Sequence, residues 1–219
     1  MNLYIIVEGR SGERRLYPEW IRHINDNLRQ IFKLDEFTEN CYYLISGNGY
    51  PNYKNVIDLG IEDLHNHPEI DYLVIAVDSE DKTSEEMKLE LIEYINERIN
   101  ADKVRIIIQH PCLEAWALGN KIVCRRNPKD RDLRRYLRIF DVREKDPELI
   151  PPLESENLNR CQFAFVYLKR MLYDRYPNLI YTKANPRVIA HIKYFRQIKK
   201  RYEEDHHILS FSDFLRVFT

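Results

Sequence analysis

Most features that would fix a function at a glance are missing from this sequence. Only four cysteines occur in 219 residues, Cys41, Cys112, Cys124 and Cys161. None forms a C-x-x-C pair and none lies beside a histidine at zinc-ligand spacing, which excludes a short zinc-binding motif. Four scattered thiols fit a reduced cytoplasmic protein better than a disulfide framework. No apolar run approaches the ~18 residues that a membrane span requires. The opening MNLYIIVEGR has no signal-peptide layout, because its apolar run is short and is followed by Glu8. No Gly-x-x-x-x-Gly-Lys-Ser/Thr occurs, so ATP hydrolysis by that route is excluded and any ATPase belongs to a partner. Repeats and low-complexity segments are absent. So is an excess of one charge: 34 Lys+Arg stand against 35 Asp+Glu, for a net charge of -1. Nucleic-acid binding must therefore come from local patches rather than from the total.

What is present is a core. Apolar residues make up 44% of the chain and aromatics 12%, enough for one large domain or a core domain with an appendage. Four β-branched and aromatic runs, Leu3–Val7, Cys41–Ile45, Tyr72–Val77 and Val104–Ile108, read as strands buried on both faces, as in a parallel sheet. Between them lie stripes at helical spacing: Leu16, Trp20, Ile24, Leu28 and Ile31; then Tyr53, Ile57, Ile61 and Leu64; then Met87, Leu91, Ile95 and Ile99. The order β-α-β-α-β-α-β predicts an α/β fold, a parallel sheet of about four strands flanked by helices with right-handed crossovers. After residue 110 the pattern turns helical. Short helices are predicted at 111–118 and 131–140, a loop over 141–156, and two further stripes, Leu158 to Leu172 and Val188 to Tyr202. The chain is accordingly divided into a sheet domain, 1–120, and a C-terminal helical extension, 121–219.

Ligands of open α/β sheets bind beyond the carboxyl ends of the strands. There the first strand runs into Val7-Glu8-Gly9 and the third into Val77-Asp78-Ser79-Glu80-Asp81. Three acids within four residues repel one another unless a cation neutralises them. Ligands that are all oxygen favour Mg²⁺ or Mn²⁺ over zinc. If the first and third strands lie side by side, Glu8 and Asp78 can share an ion. A lone acid at a strand end is more often a helix cap or a solvated loop residue. It is the joint placement that carries the metal-site expectation.

These segments resemble the Toprim signature, a Glu-Gly turn after the first strand and a D-x-D-like motif after the third. Two details narrow the resemblance to RloB-like and OLD-type nucleases of bacterial anti-phage defence. One is Glu8-Gly9-Arg10-Ser11-Gly12-Glu13. The other is His110-Pro111-Cys112-Leu113-Glu114-Ala115-Trp116, similar to that family's Asn-Pro-Cys-Phe-Glu-x-Trp. The resemblance covers roughly residues 3–120. Here the second acid of the D-x-D motif is Glu80, with Asp81 beside it as another candidate ligand, and His110 replaces the usual Asn. The resemblance implies Glu8 as general acid/base or metal ligand, Asp78 and Glu80 as holders of Mg²⁺, and Glu13 and Glu114 as second-metal or supporting groups. It also implies an ABC- or SMC-like ATPase partner and a phosphodiester substrate, DNA or a structured RNA such as tRNA.

Seven basic residues between Arg125 and Arg138 stand against two acids. Arg131, Arg135 and Arg138 fall on one predicted helix face and suit a phosphate backbone. Arg10 and Arg14 lie near Glu8 in sequence and suit phosphate positioning. Lys183 matches a late lysine of the resembling family. The leading expectation is thus a metal-dependent Toprim nuclease. The alternatives are a non-catalytic Toprim module that binds nucleic acid or a partner protein, and a phosphohydrolase or nucleotidyl-transfer enzyme acting on a small molecule. Oligomerisation is left open.

Overall fold

A computed structural model describes residues 1–49 and 52–219. The first strand, β1 (Leu3–Val7), is followed by helix α1 (Gly12–Ile24), a short strand β2 (Arg29–Ile31), and β3 (Cys41–Ser46). Then come α2 (Tyr53–Asn66), β4 (Tyr72–Asp78), α3 (Ser84–Asn96) and β5 (Val104–Gln109). The strands form one five-stranded parallel sheet in the order β2-β3-β1-β4-β5. The expected α/β class holds, with one strand more than the periodicity indicated. The extra strand comes from the first helical stripe. Leu28 and Ile31 keep the helical spacing of Leu16, Trp20 and Ile24, but α1 stops at Ile24. The chain then turns through Asp26 and Asn27, poor helix formers, and Arg29–Ile31 pairs with Cys41–Tyr43.

β1 sits at the centre. All five of its residues are buried, as continuous hydrophobicity predicts for a strand covered on both faces. Its register with β4 runs from Leu3 opposite Tyr72 to Val7 opposite Ala76. Alternate residues of the strands, among them Tyr4, Ile6, Leu73, Ile75 and Val77, join Ile57 and Ile61 of α2 and Leu91 and Ile95 of α3 in one core. Each fully buried side chain of this kind contributes about 1.5–3 kcal/mol of transfer free energy.

The second half is helical: α4 (Leu113–Leu118), α5 (Arg131–Ile139), α6 (Arg160–Arg175), α7 (Arg187–Ala190), α8 (Ile192–Asp205) and α9 (Phe211–Phe218). The expected last stripe is broken into α7 and α8 at His191, and α9 lies beyond it. The loop over 141–156 contains two single-turn 3₁₀ segments, Pro147–Leu149 and Glu154–Glu156. α6 carries a reciprocal cap: Asn159 Oδ1 accepts from the backbone N–H of Gln162, and the Gln162 side chain accepts from the Asn159 N–H.

The chain divides into two compact units. One comprises Met1–Val77, Glu85–Ile108 and Asp213–Thr219; the other comprises Asp78–Ser84 and Gln109–Ser212. These limits are drawn differently from the division at residue 120, because residues 109–120 pack with the later helices and the chain returns to the sheet unit at Asp213. Within the sheet unit, Phe214 sits edge-on to Tyr17 and Trp20 of α1, with ring centroids 5.1 and 5.7 Å apart.

Candidate functional site

At the end of β1 the backbone is held from both sides. The Glu8 N–H donates to the Ala76 carbonyl at 3.0 Å, and the Glu8 carbonyl accepts from Gly49 N–H at 3.0 Å. Glu8 is half-buried at this point. The Glu-Gly turn that follows is tied by two side chains. Ser46 Oγ, at the end of β3, donates to the Gly9 carbonyl at 2.9 Å. The Glu13 carboxylate accepts from the Gly9 N–H. A β-carbon on Gly9 would lie 2.7 Å from Glu13 Oε2, so a larger residue here would push the Glu13 carboxylate away from the turn. Glu13 is therefore buried and spent on the turn, consistent with an orienting role. Arg10 reaches the Asn48 carbonyl with Nε at 3.4 Å, and Arg14 is exposed.

The end of β4 belongs to the helical unit. Asp78 Oδ1 accepts from the Leu113 N–H at 3.2 Å. It thereby satisfies an N–H at the start of α4, whose own N-cap residue, Cys112, provides no side-chain cap. Ser79 is fully buried, and its Oγ lies 2.7 Å from His110 Nδ1. Glu80 stands in the left-handed region with φ 52°, and its N–H donates to the Pro111 carbonyl at 2.9 Å. For a residue other than glycine, asparagine or aspartate, that backbone costs on the order of 1–2 kcal/mol. Glu80 and Asp81 both expose their side chains.

Behind these acids the Pro-Cys-Leu-Glu segment forms a buried group. Cys112 is fully buried, and its thiol is held well above the usual range by its hydrogen bond with Cys161, by burial, and by the nearby Glu114 and Asp78 charges. These surroundings favour the thiol over the thiolate. Glu114 is 2% exposed, and Lys183 approaches it with Nζ at 3.6 Å from Oε1. Burial and the Glu114 charge also raise the Tyr181 hydroxyl. The structure thus brings Lys183 to Glu114, and Asp78 and Glu114 to the surroundings of one thiol. Sequence reading missed the Ser79–His110 hydrogen bond, the Cys112–Cys161 pair, and Glu148. Glu148 is a buried carboxylate that accepts from Ser210 N–H at 3.0 Å, while Ser210 Oγ accepts from Trp116 Nε1 at 2.7 Å. His110 was visible as a departure from the resembling segment. Cys161 lies 49 positions beyond Cys112, and no spacing rule links them.

Arg131 and Arg138 of α5 are exposed, as is Arg134. Arg135 is engaged, ion-paired to Glu156 and Asp132. Arg135 lies between Arg131 and Arg138 on the same side of this helix, and its side chain is 43% exposed even with these ion pairs. Glu156 reaches α5 from a turn 21 residues later.

Among the described residues, no group of three or more His, Cys, Asp and Glu side chains is placed to hold a metal ion. The donors at the strand ends are nonetheless all carboxylate oxygens. Mg²⁺ is commonly held by one or two carboxylates with its remaining positions filled by water or substrate phosphate. The donor chemistry therefore suits Mg²⁺, and a closed cage is not a requirement. No protein-family model, no curated protein and no solved structure matches the chain. Among the described residues no helix is long and apolar enough to cross a membrane.

Proposed function

We propose that this chain is a Toprim-type, Mg²⁺- or Mn²⁺-dependent phosphodiesterase of nucleic acid, a cytoplasmic effector of anti-phage defence working with an ATPase partner. The observation that carries the reading is the strand order. β1 and β4 are hydrogen-bonded neighbours, and each runs into a carboxylate at its carboxyl end, Glu8 after β1 and Asp78 closing β4. Two further observations support it. Glu80 keeps a strained backbone where glycine would be free of cost, which is common where a side chain is needed for function. The exposed arginines of α5 provide a local basic patch on a chain with no net basic charge. In this reading Asp78 and Glu80 or Asp81 hold the ion, and Glu8 ligates it or moves a proton. Glu13 and Glu114 orient the turn and the helix start. When bound, the ion would polarise a phosphoryl oxygen and lower the pKa of a bound water.

Two of the acids already have structural work. Asp78 accepts from Leu113 N–H and Glu13 from Gly9 N–H, which favours one second reading, a non-catalytic Toprim module. One experiment separates the two. Asp78→Asn keeps the acceptor for Leu113 N–H but removes the charge, and Glu8→Gln keeps the shape of Glu8. Binding of Mn²⁺ by calorimetry and cleavage of single- and double-stranded DNA and of tRNA are measured on both variants, with melting temperature as control. Loss of Mn²⁺ binding and a fall in cleavage of about 10²-fold or more, without a lower melting temperature, is the expected result. If the wild type neither binds Mn²⁺ nor cleaves, the non-catalytic reading takes its place.

A further inference from the structure

Within the helical unit, a hollow of about 560 Å³ opens between the end of α6, the residues after α4, and the start of α8. That volume falls in the range of small-molecule sites, ~300–1,000 Å³. Arg175, Arg187 and Lys193 line the hollow, and among the described residues no carboxylate does. Among the described residues none of the three has an ion-pair partner, while the nearby Arg125 and Lys121 are each paired with an acid. Three cations facing one hollow repel one another unless an anion joins them.

The second observation is independent of charge. Asn120 lines the hollow, is only 3% exposed, and its Oδ1 has no hydrogen-bond partner among the described residues. A buried amide oxygen left unmatched costs on the order of 1–3 kcal/mol, and a ligand with an amide or amino edge would supply the partner. Around it the surface is apolar and aromatic. Ile122 is 58% exposed and Tyr176 43% exposed, both on this hollow. The 14-residue α8 also begins here, adding its positive dipole end. His191 Nδ1 accepts from Lys193 N–H at 3.1 Å and so caps the start of α8.

We propose that this hollow is a binding site for a nucleoside monophosphate, a site that does not depend on the carboxylates at the strand ends. The phosphate pairs with Arg187, Lys193 and Arg175. The base lies against Tyr176 and Ile122 and offers its polar edge to Asn120. A fatty carboxylate would use the apolar wall and the cations but would leave Asn120 unmatched. Inorganic phosphate would use the cations alone.

The test is calorimetric titration of the full chain, without divalent ions, with AMP, GMP, CMP and UMP, and in parallel with the four nucleosides, inorganic phosphate and octanoate. At least one nucleotide should bind at least about tenfold more tightly than its nucleoside and than phosphate, with affinity falling as salt rises. Arg187→Glu with Lys193→Glu should weaken it by a further tenfold or more, as charge-assisted hydrogen bonds to phosphate become repulsion. Both residues are exposed, so the melting temperature of the double variant should match the wild type. Tyr176→Ala, also at an exposed position, should weaken the nucleotide without changing the salt dependence. Absence of binding by every nucleotide overturns the proposal. So does nucleotide binding that neither variant alters, and so does octanoate binding as tightly as the best nucleotide.

Discussion

Among single residues, the most consequential group outside the strand ends is Glu148. It is buried, and desolvation raises its carboxyl to about 7, against the opposing hydrogen bonds from Ser210. The ordinary value for glutamate is about 4.5. Because the folded value is the higher one, the folded state binds more protons than the unfolded state between about pH 4.5 and 7. Glu148 therefore contributes stability that is complete below this window and is lost as pH rises through it. The change is on the order of 3 kcal/mol at most. Glu148→Gln keeps an oxygen for the Ser210 N–H and cannot ionise. Urea unfolding at pH 5 and pH 8 should show the variant gaining stability relative to wild type at the higher pH. If the difference between the two proteins is the same at both, Glu148 ionises normally in the fold. Similar reasoning explains why Asp78→Ala is a poor probe. It would remove a cap on α4, worth about 1 kcal/mol, along with any ligand function, whereas Asp78→Asn separates them.

Among the secondary-structure elements, α5 shows how a basic run is sorted by its neighbours. Its buried side presents Leu133, Tyr136 and Leu137, and Tyr136 stacks edge-on with Phe163 at 5.2 Å. Asp130 caps its start by accepting from Leu133 N–H at 2.8 Å. Of its arginines, Arg135 is committed to Glu156, while Arg131, Arg134 and Arg138 share the exposed face at spacings of three and four. A helix rises ~1.5 Å per residue, so the three extend over roughly two turns, enough to meet more than one phosphate. Reversing all three to Glu should weaken nucleic-acid binding and flatten its dependence on salt, by up to ~0.9 in log–log slope for each phosphate that the protein no longer neutralises. Reversing Arg135 alone should leave the slope unchanged. Equal slopes for the triple variant and the wild type would mean that α5 faces solvent or a protein partner.

Over the whole molecule, the chain builds most of its sheet unit, then the helical unit, then returns to the sheet unit at Asp213. In the sheet unit Phe214 and Phe218 are fully buried and 4.9 Å apart between ring centroids, beside Tyr17 and Trp20. Phe214→Ala should therefore destabilise the protein by about 3–5 kcal/mol, the usual result of emptying a buried phenyl site. Denaturant unfolding followed by tryptophan fluorescence reads this directly. A loss under about 1 kcal/mol, the range of ordinary surface substitutions, would show that the last helix only decorates the sheet unit.

Local evidence was enough for some elements. Strands β1, β3, β4 and β5 were legible in the sequence because each is a continuous apolar run that only burial on both faces can satisfy. α2 and α3 were legible from stripes at a helical period. The acids Glu8, Asp78 and Glu80 were legible as candidates because they follow such runs directly. The remainder was set by long-range packing. Only strand pairing turned Arg29–Ile31 into β2, since three residues at a helical spacing have no local preference strong enough to choose. Only packing broke the last stripe at His191 and returned Phe214 to α1. Only the fold brought Glu156 to Arg135, Lys183 to Glu114, and Cys161 to Cys112, pairs far apart along the chain. Periodicity reports which side of an element is apolar, because burial acts on each residue separately. Which distant charge or thiol meets it is a property of loop closure and packing, and no short stretch of sequence contains that information.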